Sequence, residues 1–532
     1  MTTAPSATGQ GSTPAEPAGT LGNSGSPWKT PVAFVVPYLI LMLAWAFANP
    51  PAAAPDEPDH LVKAIGMATL DIGTQYTGPP IGDGGIGQQR NASISRVISI
   101  PGNLVPDGYL CEIFRPTVTA SCLPTETSRS TAPKSVIVSL GSYPPFLYPP
   151  IGWVAGLAST PTQAFWFARI FGALICAMLL LLGAAHLVRI LGRRALLGAF
   201  VGLTPMVVFC GGSVTTSGFE ICAAFATACI VVAGLRRPAT VAEPGTQLLL
   251  AGVGATLILS RQLGAVTFGL MMLLLLVRIG PRFFWKLLLD RHPALLSSVG
   301  FLLLSGIAVA LWERTYDHPS MIGRVFSASA LGSFGLQSYG VLRSGVAQFG
   351  WLDTLIPPWF LAIWLVLCMV LIGMAALIGG RADRLTLVLW SAVLYVIAFV
   401  TYATIFYPVG AGLQGRHLLA LFMLLPLLSG VVVSEQLDKV DTRIVGRMFL
   451  LIGVTMPVLQ AVSLYLNSRR YAVGTEGAIW FFPTSQWQPP LGWAPWLILG
   501  LAGAVVLRWS ISRASRTDAR EEHSNGHRLV ER

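Results

Sequence analysis

Long apolar runs alternate with short polar breaks along this chain. The runs lie at about 31–49, 162–188, 195–212, 219–235, 294–312, 354–378, 385–407, 417–434, 448–466 and 493–510. Each is near the roughly 20 residues that carry an α-helix across a bilayer. The segment 246–277 is apolar except around Arg261-Gln262, and basic clusters flank both of its ends. That pattern predicts a hairpin of two short helices with Arg261 at the tip. The expected fold class is therefore an all-α polytopic membrane protein with about 12 transmembrane helices. The ten-residue alternation that marks a transmembrane barrel is absent.

The polar stretches divide the rest. Residues 1–28 are rich in Gly, Ser, Thr, Pro and Ala, and 511–532 are charged and polar; both are expected to be disordered tails. The polytopic membrane domain spans 29–510, and its first helix is expected to be retained rather than cleaved. A Gly- and Pro-rich loop of over ninety residues, about 50–145, follows that helix.

Composition agrees with the pattern. Hydrophobic residues make up 53% and charged residues 11% of the 532, against about a quarter charged in an ordinary soluble chain. The net charge is +11. The basic residues come in bursts between apolar runs: Arg189, Arg193 and Arg194; Arg236-Arg237; Arg278, Arg282, Lys286 and Arg291; Arg381 and Arg384; Lys439, Arg443 and Arg447; Arg508, Arg513 and Arg516. The positive-inside rule assigns these bursts and both termini to the cytoplasm, which argues against nucleic-acid binding. The loop 50–145, the Arg261 tip and the loops 313–353, 408–416 and 467–492 then face outward. Five cysteines lie in apolar runs, as small core residues. Cys111 and Cys122, eleven apart in the large outer loop, are expected to form a disulfide. No metal-type Cys/His spacing occurs.

Candidate chemistry starts at Pro55-Asp56-Glu57-Pro58-Asp59-His60, just past the first run. Pro58 suits the first position of a helix. Residues 59–70 would form an interfacial helix with Leu61, Ile65, and Leu70 or Met67 on the apolar side. The helix dipole favours ionised acids at its start. Such a carboxylate can act as a general base or hold a divalent ion; the alternative is a set of capping, solvated residues.

Further along, Ser142-Tyr143-Pro144-Pro145-Phe146-Leu147-Tyr148-Pro149-Pro150 re-enters the membrane. Tyr143 there is either an interface anchor or part of a substrate groove. Arg261 is either an exposed tip or a grip for a lipid-linked phosphate. Trp351 and Trp359 fit interface anchors, and Asp353 fits an N-cap or a ligand contact. Gly412-Leu413-Gln414-Gly415-Arg416-His417 places Arg416 and His417 at a helix start. Cations there oppose the dipole, so anion binding accounts for them better than helix energetics does. Arg469-Arg470 is an outer basic pair, for headgroups or for solvent.

Several of these motifs resemble domain of unknown function family 2142, multi-spanning bacterial membrane proteins. The resemblance rests on Pro55-Asp56-Glu57-Pro58 with His60, Thr204-Pro205-Met206, Phe349-Gly350-Trp351-Leu352-Asp353-Thr354 with Pro357, and Gln414-Gly415-Arg416, and covers roughly 35–470. Where the family often has Asn-Pro-Asp, this chain reads Ser213-Val214-Thr215-Thr216-Ser217-Gly218-Phe219-Glu220. His417 stands where the family tends to have Tyr.

The family's layout is similar to that of GT-C glycosyltransferases, which move a sugar from a polyprenyl-phosphate carrier to an acceptor outside the membrane. By that resemblance Asp56 is the expected general base, with Glu57 second and His60 supporting. Tyr143, Arg261, Trp351, Asp353, Gln414, Arg416 and His417 would bind substrate, Arg261 and Arg416 holding the donor phosphate. A divalent cation, Mg or Mn, serves some GT-C members. The expectation is a plasma-membrane glycosyltransferase of envelope assembly, meeting the lipid bilayer, a polyprenyl-phosphate-linked sugar and a glycan or glycolipid acceptor. A transporter or flippase of lipid-linked glycans is the alternative, and a structural partner of an envelope complex a third.

Overall fold

The computed structural model describes residues 28–78, 94–125, 130–290, 292–315, 327–437 and 442–515. Apart from Trp28 and residues 511–515, which continue the last helix, both expected tails lie outside these residues.

The first span is α1 (Lys29–Ala48). After a tight turn come α2 (Glu57–Ala68) and the strands β1 (Thr74–Gln75), β2 (Arg96–Pro101) and β3 (Pro133–Val138), which form an antiparallel sheet in the order β1-β2-β3. The large loop is therefore a small built layer. Ile98 and Ile100 of β2 are buried, and a Cβ at Gly66 would fall 2.3 Å from Ile98 Cγ2. On the other face lies α3 (Pro149–Ala155), where a Cβ at Gly152 would meet the Ala64 carbonyl at 1.8 Å. The expectation of an interfacial α2 is corrected by this packing. Leu61, Ile65 and Met67 are buried as expected, but so are Glu57, His60 and Lys63, while Leu70 is exposed.

The remaining helices are α4 (Pro161–Leu191), α5 (Leu197–Gly202), α6 (Pro205–Gly211), α7 (Thr216–Arg236), α8 (Pro244–Ser260), α9 (Gln262–Ile279), α10 (Pro281–Leu289), α11 (Pro293–Glu313) and α12 (Ala328–Val346). The short hairpin β4 (Gln348–Phe349) and β5 (Thr354–Leu355) follows, then α13 (Pro358–Ile378), α14 (Arg381–Thr401), α15 (Gly415–Ser434), α16 (Thr442–Val473) and α17 (Trp493–Ser515). The protein is an all-α polytopic membrane protein. Ten described helices are long and apolar enough to cross a bilayer. The pair α5–α6 makes an eleventh if counted as one span, and α8 is a shorter apolar helix. These account for the twelve apolar segments of the sequence.

Two segments differ from expectation. The run 195–212 is not one straight helix: α5 and α6 meet at 84°. Pro205 opens α6, and proline disfavours a helical residue before it. Polar side chains meet the backbone at the break. Gln460 Nε2 donates to the Leu203 carbonyl (3.2 Å), and Thr204 Oγ1 donates to the Gly345 carbonyl (3.0 Å). Broken helices are tolerated in a bilayer when buried partners satisfy them in this way. The expected outer loop 313–353 contains α12, whose glycines and serines hide it from a hydropathy reading.

The bundle has two chemically distinct ends. At one, Arg189 pairs with Glu243 (2.7 Å), and Arg236 pairs with Asp383 (2.9 Å) and Glu435 (3.3 Å). The other end, where α1 finishes and α4, α7 and α15 begin, carries the polar cluster described next. The chain closes on itself beside that end. Phe47 of α1 stacks on Trp496 of α17 (ring centroids 4.3 Å). Asn467 of α16 donates to Asn49 (2.5 Å), and Tyr471 donates to the Ala53 carbonyl (3.0 Å).

Candidate functional site

The turn between α1 and α2 is built around two non-glycine residues in the left-handed region, Ala52 (φ 67°) and Asp56 (φ 63°). Each such residue costs about 1–2 kcal/mol, so the surroundings must impose the geometry. Trp351 Nε1 donates to the Ala52 carbonyl (2.9 Å), and Tyr471 holds the Ala53 carbonyl. Glu57 supplies the main anchor. It is fully buried, and Arg169 of α4 grips it with Nε to Oε1 (2.8 Å) and Nη2 to Oε2 (2.7 Å). The backbone N–H groups of Val214 (2.8 Å) and Ala54 (3.2 Å) also donate to Glu57. Arg169 spends its other N–H groups on the carbonyls of Ala46, Asn49 and Pro50.

The expectation that Glu57 is a second candidate base is corrected accordingly, because its carboxylate is saturated inside the protein. The left-handed turn sends the neighbouring acid the other way. The Asp56 side chain is 41% exposed and lies 3.9 Å from Arg416 Nη2. It makes no side-chain capping bond to α2, so the capping alternative does not describe it.

Around Asp56 the fold gathers His60 and groups from four distant parts of the chain. His60 Nδ1 and the Tyr148 hydroxyl share a hydrogen bond (2.8 Å), with their rings stacked. Tyr143 meets the His60 ring edge-on. Arg261 is the single residue between α8 and α9, as expected, but it is buried rather than an exposed tip. Its Nη2 donates to the Tyr143 hydroxyl and its Nη1 to Ser217 Oγ, both at 2.8 Å, and Nη1 lies 3.7 Å from Glu220 Oε2. Arg416, also buried, keeps its Nε without a partner among the described residues. Gln414 Oε1 is likewise unpartnered, and His417 feels the charges of both Arg261 and Arg416.

A second tier stiffens this cluster. Lys63 Nζ donates to the carbonyls of Leu140 (2.8 Å), Gly141 (3.1 Å) and Tyr143 (2.6 Å), fixing the segment that carries Tyr143. Burial, with Arg96 nearby, lowers the Lys63 ammonium to about 7. Asp59 accepts from the Ser139 N–H (2.9 Å) and from the Ser139 hydroxyl. Burial still raises its carboxyl to about 6 against those bonds, so the dipole does not govern this acid. Burial, with the charges of Arg261 and Arg416, holds His60 below its ordinary value, so the ring is neutral at neutral pH.

Two expected ligand contacts lie elsewhere. Asp353 Oδ2 accepts from Arg470 Nε (2.9 Å) and Nη2 (2.7 Å). Arg470 also donates to the carbonyls of Glu112, Arg115 and Val118. Asp353 is thus consumed in fastening the large loop. It is not an N-cap either, since α13 starts at Pro358 with Pro357 before it. Trp351 supports the Asp56 turn instead of facing the cluster. The loop that Arg470 holds is closed by a Cys111–Cys122 disulfide.

Sequence reasoning missed Ser217, Glu220, Lys63 and Arg169 as parts of this arrangement, and singled out Tyr143 alone from the motif that also holds Tyr148. A lone arginine in the apolar run 162–188 was the available signal for Arg169, since such a charge needs a buried partner.

The donors around Asp56 do not suit a divalent cation. Its neighbour within ion-pair distance is Arg416, and the acids nearby in sequence are tied to Arg169 and Ser139. Among the described residues the metal-like grouping is Cys111, Glu112 and Cys122, whose sulfurs are bonded to each other. Beside Gly415 lies an apolar cavity of about 380 Å³, lined by residues including Phe334, Val341, Leu342, Trp364, Leu394 and Tyr395.

A helical bundle of this kind, with a fastened polar cluster at one end, defines a polytopic membrane protein. The family described as "predicted membrane protein (DUF2142)" matches residues 39–425, well over half of the chain, and the chain belongs to that family. Asp56, Arg261 and Arg416 all lie within the matched region, whereas Arg470 lies beyond it. No match was found among the curated proteins, and none among the solved structures.

Proposed function

We propose that this protein is an integral membrane glycosyltransferase that moves a sugar from a polyprenyl-phosphate donor to an extracytoplasmic acceptor. The observation that carries the reading is a solvent-reaching carboxylate, Asp56, 3.9 Å from the buried Arg416, with a second buried guanidinium, Arg261, in the same polar cluster. In this scheme Asp56 takes the proton of the acceptor hydroxyl. The acceptor oxygen bonds to the sugar's anomeric carbon as the bond from that carbon to the phosphate oxygen breaks. The polyprenyl phosphate leaves as an anion held by Arg261 and Arg416, to which guanidinium forks are suited. The apolar cavity beside Gly415 suits the first part of the prenyl chain; its volume lies within the range of small-molecule sites. The positive-inside rule favours a cytoplasmic end bearing Arg189, Arg236 and Arg278, which supports an outward-facing Asp56 in this reading.

A flippase of lipid-linked glycans is the second reading. The 84° break between α5 and α6 favours it, because transporters use broken helices.

The test gives wild type and Asp56→Asn in lipid a panel of labelled polyprenyl-phosphate sugars with an envelope-extract acceptor. Transfer by wild type that the folded variant loses supports the enzyme and its base. Equal transfer by both removes Asp56 from the chemistry. Binding of donor without transfer, together with movement of the lipid across the bilayer, replaces the enzyme by the flippase.

A further inference from the structure

The chemistry proposed above leaves Glu220 unused. Its side chain is 1% exposed, one turn into α7, and neither carboxylate oxygen has a hydrogen-bond partner among the described residues. Its charge is met across 3.7 Å by Arg261, whose own short bonds go to Ser217 and Tyr143. Of the groups on packed neighbours, Arg261 and the Cys210 thiol of α6 face Glu220. His60, His417, Tyr143 and Tyr148 lie close enough to Arg261 to feel its charge in turn. A buried carboxylate is tolerated while a cation compensates it and becomes costly once that cation is taken away.

We propose that Glu220 is a proton-binding site coupled to anion binding at Arg261. An anionic phosphodiester that takes the guanidinium leaves Glu220 buried beside a cation already neutralised. Glu220 then takes up one proton from solvent. The exchange balances: the Arg261–Glu220 pair, one anion and one proton become an Arg261–anion pair and a neutral carboxylic acid. The net charge of the buried site does not change, which is the condition a low-dielectric site favours. This rests on the reading of Arg261 as an anion-binding residue. Linkage then sets the pH dependence. One proton taken up per anion weakens apparent binding by up to about tenfold for each unit of rising pH.

The experiment measures binding of farnesyl-phosphoryl-glucose, a phosphodiester with no ionisation near neutrality, to wild type and Glu220→Gln in nanodiscs between pH 5.5 and 8.5. Calorimetry in buffers of different ionisation enthalpy counts protons. The expected result is a dissociation constant that rises with pH for wild type, with about one proton taken up per anion. Glu220→Gln should bind with no such dependence, and more tightly than wild type at pH 8. A slope that survives in Glu220→Gln overturns the proposal and moves the proton to His60 or His417. If the variant does not fold, the wild-type proton count decides, and a count near zero overturns it. Binding that is flat with pH removes the coupling alone. No binding by wild type at any pH removes the anion-binding role of Arg261, and the coupling with it.

Discussion

The buried pair of Glu57 and Arg169 gives the sharpest prediction of stability. Its two members are not equivalent, because the protein surrounds them differently. Arg169→Met leaves the Glu57 carboxylate fully buried with two backbone N–H donors, Val214 and Ala54. It also strands the carbonyls of Ala46, Asn49 and Pro50. Removing one partner of a buried pair costs about 3–5 kcal/mol, and the stranded carbonyls push the total to the upper end of that range or beyond. Glu57→Gln leaves a guanidinium still ringed by those three carbonyls, so a smaller loss, about 2–3 kcal/mol, is expected. The double variant removes both charges and should cost at least about 2 kcal/mol less than the sum of the singles. Unfolding of the four proteins in mixed micelles, followed by tryptophan fluorescence, measures all of these. A loss below about 1 kcal/mol for Arg169→Met, or additivity in the double variant, would refute the view that this pair holds the Asp56 turn.

Replacing Cys111 and Cys122 together by serine should cost about 2–3 kcal/mol, from the closed loop alone, because that loop presents three carbonyls to Arg470. An unchanged melting temperature with and without reductant would exclude this. For His60 the sign is set by its lowered value: the folded ring resists a proton that the unfolded chain accepts below about pH 6.5. The stability of wild type relative to His60→Gln should therefore shrink as pH falls from 7.5 to 5, and an advantage that grew instead would contradict the burial of the ring.

Apolar periodicity made the helical scaffold legible, along with the Arg261 junction and the placement of Asp56 and Arg416 at helix ends. It failed where partners are remote. Asp56 and Glu57 are adjacent acids with equal chemistry in the sequence. What separates them is an arginine on another helix and a left-handed turn. Asp353 looked like a ligand contact because Arg470, its true partner, looked like one of a pair of solvated cations. Glu220 was hidden in a turn that departs from the family's acidic pattern, one helical turn further on. The α5–α6 break had a signal in Thr204-Pro205, but an averaged apolar run conceals it. The sheet under α2 has strands of two to six residues among Gly and Pro, too short for alternation to stand out.

The packing of α1 against α16 and α17 also bears on biosynthesis. The first span waits for its neighbours: the Asn49 and Ala53 contacts need residues 467 and 471, and Phe47 needs Trp496. At about 5–20 residues per second, the intervening chain takes on the order of twenty seconds to a minute and a half to make. Throughout that interval the turn bearing Asp56 has its Arg169 anchor and, later, Trp351, but lacks the contacts from Asn467 and Tyr471. A nascent chain therefore carries the Asp56 turn without its α16 contacts until the late helices have inserted. Insertion faults far downstream, in α16 or α17, should consequently surface as defects at a residue made near the start.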